Sequence, residues 1–141
     1  MEHDSVWLAS ARIPPREALA ADLDADVVVV GAGTTGLTAA LLAQRHGASV
    51  VVLESGRIAG GSTGRSTGKV TSQHTLWAAS MIERHGEETA RQYAQANQHA
   101  VELVGRLVGE LGIDCRFERA FACAYTRDPR RRAAVEAEVE A

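Results

Sequence analysis

Val27-Val28-Val29-Val30-Gly31-Ala32-Gly33-Thr34-Thr35-Gly36 is the stretch on which the fold of this 141-residue chain turns. Four β-branched residues in a row, halted by glycine, predict a strand buried on both faces, as in a parallel sheet. Gly31 to Gly36 fits GxGxxG, a weak pattern by itself. Its place between that strand and an Ala- and Leu-rich helix predicted over Thr38–His46 gives it weight. Gly31 permits the sharp turn, Gly33 lets a diphosphate approach the backbone, and Gly36 lets the helix pack on the sheet. The free N–H groups at the helix start face the diphosphate, and the helix dipole favours its charge. Gly47 stops the helix, and Ser49–Leu53 predicts a second buried strand. Strand, helix and strand make a βαβ unit with a right-handed crossover. Glu54 comes next, about 20 residues past the glycines, where a carboxylate can accept hydrogen bonds from both hydroxyls of an adenosine ribose. It would repel a 2′-phosphate, which argues against NADP.

Beyond Glu54 an NAD-binding domain would continue into another helix and strand. This chain enters Gly60-Gly61-Ser62-Thr63-Gly64-Arg65-Ser66-Thr67-Gly68-Lys69-Val70 instead. Small hydroxyl residues between glycines expose many backbone N–H donors, and such a loop can wrap the far side of a diphosphate. A long, two-sided cofactor such as FAD needs that second contact.

Upstream, residues 1–25 read as an N-terminal arm. Val6-Trp7-Leu8 suits a short extended contact, Pro14-Pro15 stiffens the arm beyond it, and Trp7 reads as an anchor packed on the domain. Downstream, Leu76, Trp77 and Met81 predict a short helix ending near Gly86, with a longer helix from Glu87 to Leu111. Its apolar stripe runs Ala90, Tyr93, Asn97, Val101, Val104, Val108, Leu111, with Asn97 expected to bond locally. Cys115–Glu118 and Phe121–Thr126 read as a short β-hairpin. Asp128-Pro129 opens a last helix, with Asp as N-cap and Pro at N1. That helix has arginines at its start and Glu136, Glu138 and Glu140 at its end, against the dipole. Such a helix frays if it stops there, so it is expected to continue in a longer chain.

Composition narrows the remaining classes. A hydrophobic share of 45% is ordinary for a globular domain, and aromatics at 4% make the core aliphatic. A net charge of −3 gives no electrostatic case for nucleic acid. The basic cluster of Arg127 and Arg130 to Arg132 reads as a solvated helix start or a contact surface. Cys115 and Cys123 form no CxxC and have no His-rich partner cluster, so no metal site is expected and both read as reduced thiols. The start Met1-Glu2-His3-Asp4 has neither a basic region nor an apolar stretch. The apolar runs are strand-sized, so a cytoplasmic location without a membrane span is expected. His3, His46, His85 and His99 read as surface residues.

Residues 26–74 resemble the FAD-dependent oxidoreductases of the D-amino-acid oxidase and glycine oxidase family, in VVVVGAGTTGLTAA and VVLESGRIAGGSTGRSTGKV and in the spacing between them. The arm with Trp7 and the stretch KVTSQHTLW resemble members that often carry a C-terminal Rieske domain, and looser similarity runs on to about Thr126 through QYAQANQHA and IDCRFER. The resemblance implies an α/β fold: an FAD-binding oxidoreductase domain over residues 26–141, incomplete at its C-terminal end, in which a Rossmann-like βαβ FAD-binding unit with a parallel sheet is followed by helices and a short β-hairpin. It implies that Thr34 and Thr35 offer backbone N–H groups to the diphosphate, with Gly31, Gly33 and Gly36 shaping the turn. Glu54 would hold the ribose, with Ser55 and Arg57 near the adenine. Gly61, Ser62 and Thr63 would meet the diphosphate from the second loop. Thr67, Gly68 and Lys69 would lie where the chain passes toward the isoalloxazine. Lys69 departs from the small residue often found there, and it either stabilises a reduced, anionic flavin or points to solvent. His74 reads either as an acid–base group near the flavin or as helix-start structure. Arg65 meets phosphate or a carboxylate.

The implied activity is oxidation of a small amine or amino acid, with hydride passing to FAD. The substrate-binding groups are expected past Ala141, no catalytic residue is assigned, and the chain alone is expected to be inactive. Two other classes stay open: a small NAD-binding protein, and a non-catalytic nucleotide-binding subunit completed by another chain.

Overall fold

The computed structural model describes residues 5–141, so His3 lies outside the described residues. The chain divides into two compact units, one reaching to Gly68 and one spanning Lys69–Ala141.

The first unit is built on strand β1 (Val27–Val30), helix α2 (Thr34–Arg45) and strand β2 (Val50–Leu53), preceded by a short helix α1 (Val6–Ser10). The strands pair in parallel, Val27 opposite Val50 through Val30 opposite Leu53. A parallel pair has no tight turn to set its register, and here side chains at its base help to do so. Asp26 Oδ2 accepts from Ser49 N at 2.8 Å and Ser49 Oγ at 2.7 Å, and Asp26 N donates to Ser49 Oγ at 2.9 Å. At the other end Gly31 N donates to Leu53 O at 2.7 Å. The predicted βαβ unit is thus present, with α2 starting four residues earlier than the Ala/Leu pattern suggests. The glycine motif itself supplies the first helical turn.

Burial of β1 differs from the expectation. Val27 and Val29 are half-buried, whereas Val28 is 54% and Val30 85% exposed. Helix α2 packs on the strands. A valine run is buried on both faces only when both are covered, and among the described residues no element buries the Val28–Val30 face. The arm also differs. Val6-Trp7-Leu8 is helical because Ser5 caps it, its side chain accepting from Leu8 N at 3.2 Å. An extended strand would point Trp7 and Leu8 to opposite sides, whereas the helical turn brings both onto the second glycine loop. Leu8 is buried there.

The second unit holds α3 (Ala78–His85), α4 (Glu87–Glu110) and α5 (Arg132–Glu140). Gly86, at φ 81°, forms the corner between α3 and α4 and occupies the left-handed backbone region that favours glycine. Helix α4 buries Ala90, from the predicted apolar stripe, and Leu107, which lies beside it, while Val108 is half-buried and Tyr93 and Leu111 are partly exposed. Tyr93 packs edge-on against Trp77 with ring centroids 4.8 Å apart. Asn97 bonds locally as expected, Nδ2 donating to Tyr93 O at 2.8 Å.

The predicted hairpin at Cys115–Glu118 and Phe121–Thr126 is not formed. Arg116 takes φ 52°, which breaks strand geometry within the first segment. Phe117 lies over Gly105, and Arg119 pairs with Glu102 at 2.7 Å, so these side chains turn to α4. Phe121 is fully exposed and gives the second segment nothing to pack on.

Asp128 and Pro129 do initiate a helical turn, Pro129–Arg131, with the Asp128 side chain accepting from Arg130 N. The acidic end of α5 has a physical reason that its own dipole does not supply. Glu138 Oε1 accepts from Trp77 N and Ala78 N at 2.8 Å each, and Oε2 from Ala79 N at 3.1 Å. A residue 60 positions away thereby caps α3, whose own N-cap, Trp77, has no suitable side chain. No helix among the described residues is long and apolar enough to cross a membrane.

Candidate functional site

The site is built where β1 gives way to α2. Gly31 takes φ 103°, a left-handed turn that carries the chain out of the strand. Gly36 is the closest contact: a Cβ there would lie 2.0 Å from Gly31 O and 3.1 Å from Val29 Cγ1. Only glycine lets the helix start this near the strand. The first N–H groups of a helix have no intrahelical partner. Thr34 N finds one in Thr63 Oγ1 at 3.0 Å, and the two threonine hydroxyls stand 3.2 Å apart. Thr35 and Gly36 supply the next two amides of that first turn.

The second glycine loop therefore meets the mouth of α2 through Thr63. A short 3₁₀ turn, Thr63–Arg65, presents that hydroxyl, and Ala59 N, donating to Ala32 O at 2.9 Å, ties the loop back to the first glycine turn. A Cβ on Gly33 would lie 3.1 Å from Thr63 Oγ1, so the missing side chain keeps a cradle open between the loops.

Glu54 closes the other side. Its Oε2 accepts from Ala32 N and its Oε1 from Gly56 N, each at 2.9 Å. These bonds, that from Ala32 foremost, hold its carboxyl below the usual glutamate range, with a smaller contribution from Ser55. It is ionised at neutral pH. Each carboxylate oxygen has a second lone pair to offer, so an exposed Glu54 can still accept from a sugar.

The other residues singled out in the sequence are more scattered. Thr35, Ser55, Gly61 and Ser62 are exposed around these loops. Arg57 Nη2 lies 3.5 Å from both Leu8 O and Ala11 O, facing the C-terminal end of α1. Arg65 donates to the carbonyl of Gly60 within its own loop. Thr67 is exposed, and Gly68, at φ 71°, lies under the Trp7 ring. Lys69 opens the second unit and is exposed. His74, in that unit, shares a 3.0 Å hydrogen bond between Nε2 and Asn97 Oδ1. Sequence reasoning missed two devices. The Asp26–Ser49 clasp has a signal, an Asp before one strand and a Ser before the next. The seating of α1 on the second loop has only Trp7 to announce it.

Backbone amides at a helix mouth, a cradle without a Cβ, two hydroxyls and an ionised carboxylate one turn away form a donor and acceptor set that fits a diphosphate joined to a ribose. Comparison with known proteins gives the class. The chain belongs to the FAD dependent oxidoreductase family, whose pattern its residues 26–141 match. A flavin cofactor is what that family implies. Among relatives, the chain is 35% identical over 123 residues to YhfW of Bacillus subtilis, named as a putative Rieske 2Fe-2S iron-sulfur protein; the match covers 87% of this chain and 24% of that one. It is 31% identical over 118 residues to gamma-glutamylputrescine oxidoreductase of Escherichia coli, covering 82% of this chain and 28% of that one. It is 38% identical over 96 residues to 3-oxosteroid 1-dehydrogenase of Mycobacterium tuberculosis, covering 67% of this chain and 16% of that one. The chain thus spans about a quarter of the length of the first two of these relatives. No solved structure matches it.

Proposed function

We propose that this chain holds the ADP half of FAD for an oxidoreductase acting on an amine or amino acid. The observation that carries the reading is the convergence of Thr63 and Thr34 at 3.0 Å over the mouth of α2, with Glu54 bonded to Ala32 on the same turn. In this reading the amides of Thr34, Thr35 and Gly36 receive one side of the diphosphate. Ser62 and Thr63 donate to the other side, and Glu54 accepts from the ribose hydroxyls. Thr63 Oγ1 now stands as acceptor for Thr34 N, the role a phosphate oxygen would take over. Bound FAD would supply the redox chemistry, taking a hydride equivalent from the carbon beside nitrogen and leaving an imine for water to hydrolyse. The amine class is supported by the resemblance to gamma-glutamylputrescine oxidoreductase. In this reading Ser55 and Arg57 lie near the adenine, Gly61 belongs to the loop that meets the diphosphate, and Thr67, Gly68 and Lys69 lie where the chain passes toward the isoalloxazine.

Thermal melting with FAD, NAD or NADP added separately tests it. A ligand that binds only the folded chain raises the midpoint, by an amount set by its concentration relative to Kd. FAD alone should do so. A rise with NAD and none with FAD would overturn the reading.

A further inference from the structure

The arm preceding the matched family region reaches the second glycine loop and nests in it. Ser5 Oγ donates to Gly64 O while capping α1. Leu8 is buried over Gly64, where a Cβ would lie 2.6 Å from Leu8 Cδ2. Trp7 Nε1 donates to Ser66 O at 2.8 Å, and a Cβ on Gly68 would lie 2.5 Å from Trp7 Cζ2. Two loop glycines are therefore sockets for two side chains of one helical turn. The residue between Ser62 and Gly64 is Thr63, whose hydroxyl stands at the mouth of α2. The 3₁₀ turn is thus gripped from outside by α1 while its other side faces the diphosphate cradle.

We propose that Ser5–Ser10 is a positioning element: it fixes the Thr63–Arg65 turn against α2 before cofactor arrives, so that binding carries no ordering cost in that loop. The physical basis is preorganisation, in which a loop held in its bound geometry loses less entropy on binding. In this proposal Trp7 and Leu8 act through the loop they hold and not by binding cofactor themselves. The effect on affinity rests on the FAD reading above, whereas the effect on loop order does not.

Two variants of the full chain test it, Leu8→Ala and Trp7→Phe. The second keeps an aromatic ring on Gly68 and removes only the indole N–H, so it is the one expected to fold if the first does not. Amide hydrogen exchange without ligand is read first. Exchange at Gly60, Gly64 and Arg65 should rise about tenfold in Leu8→Ala and a few-fold in Trp7→Phe, with Gly31 and β2 unchanged. A merely structural role would raise exchange across β1, α2 and β2 together, and that result overturns the proposal, as does unchanged exchange in the loop. FAD affinity is read second, from quenching of flavin fluorescence. Kd should rise in the same order as loop exchange, by up to about tenfold. A loosened loop with unchanged Kd overturns the positioning role. If wild type binds no FAD, the functional reading fails, while the exchange pattern still decides whether α1 orders the loop.

Discussion

Replacing Gly36 by alanine should unlatch α2 from the sheet. The new methyl would stand 2.0 Å from Gly31 O, a backbone atom that cannot rotate away, and 3.1 Å from Val29 Cγ1. The first distance falls more than an ångström short of contact, so the helix start must retreat or the glycine turn must open. Forcing an extra carbon into such a packed place costs about 1–3 kcal/mol. Alanine's better helix propensity returns no more than about 1 kcal/mol. A clash this close with a backbone atom belongs at the upper end of that cost, so the balance is a loss of about 2 kcal/mol, enough to lower a urea midpoint by about 1 M in a small domain. The chain has two tryptophans, Trp7 in the first unit and Trp77 in the second. In a Trp77→Phe background, Trp7 fluorescence therefore follows the first unit alone. Gly61→Ala is the control, because nothing lies within 4 Å of a Cβ there and the change should be nearly neutral. A Gly36→Ala protein unfolding at or above the parent's midpoint would refute the close approach of helix and strand.

Glu54→Gln should weaken FAD about tenfold, since the charged acceptor for the ribose is lost; titration of flavin fluorescence reads it. The pH dependence of the first unit comes from Asp26 and Glu54, both held below their ordinary values. The Ser49 hydroxyl is the main cause for Asp26 and the Ala32 amide for Glu54. Their stabilisation is complete above the unfolded carboxylate range and is lost as pH falls through the lower folded values. Melting temperature should hold level from neutrality to about pH 5 and decline below it. Asp26→Asn with Glu54→Gln should flatten that decline, and a parent-like acid slope in the double variant would contradict the assignment. In the second unit, Glu138→Ala strips three amides of α3 of their acceptor and should cost about 0.5–2 kcal/mol, read from Trp77 fluorescence on heating.

The features legible in the sequence were set by local rules. Valine runs, glycine spacing and a carboxylate at a strand end act over a few residues, and they located β1, α2, β2 and the two loops that meet over α2. Gly86 marked the end of α3 for the same reason. The failures share a different cause. Val28 and Val30 are exposed because burial depends on what covers a strand, and a valine run cannot state that. The hairpin failed because Arg116 adopts a left-handed turn and because Phe117 and Arg119 find partners on α4, contacts set by packing. Glu138 looked misplaced only while α5 was considered by itself. Val6-Trp7-Leu8 became helical through the Ser5 cap, which lies just outside the three residues whose pattern suggested an extended contact.

The clasp of Asp26 and Ser49 bears on how the first unit keeps its strands aligned. It fastens the strand entrances at the opposite pole from the glycine turn. Parallel strands joined through a helix can slide, and a slip of one residue would invert every side chain of β1 relative to β2. With the foot of the ladder bolted independently, departure of the proposed cofactor from the top would leave the rungs aligned. Rebinding would then begin from a frame already in register.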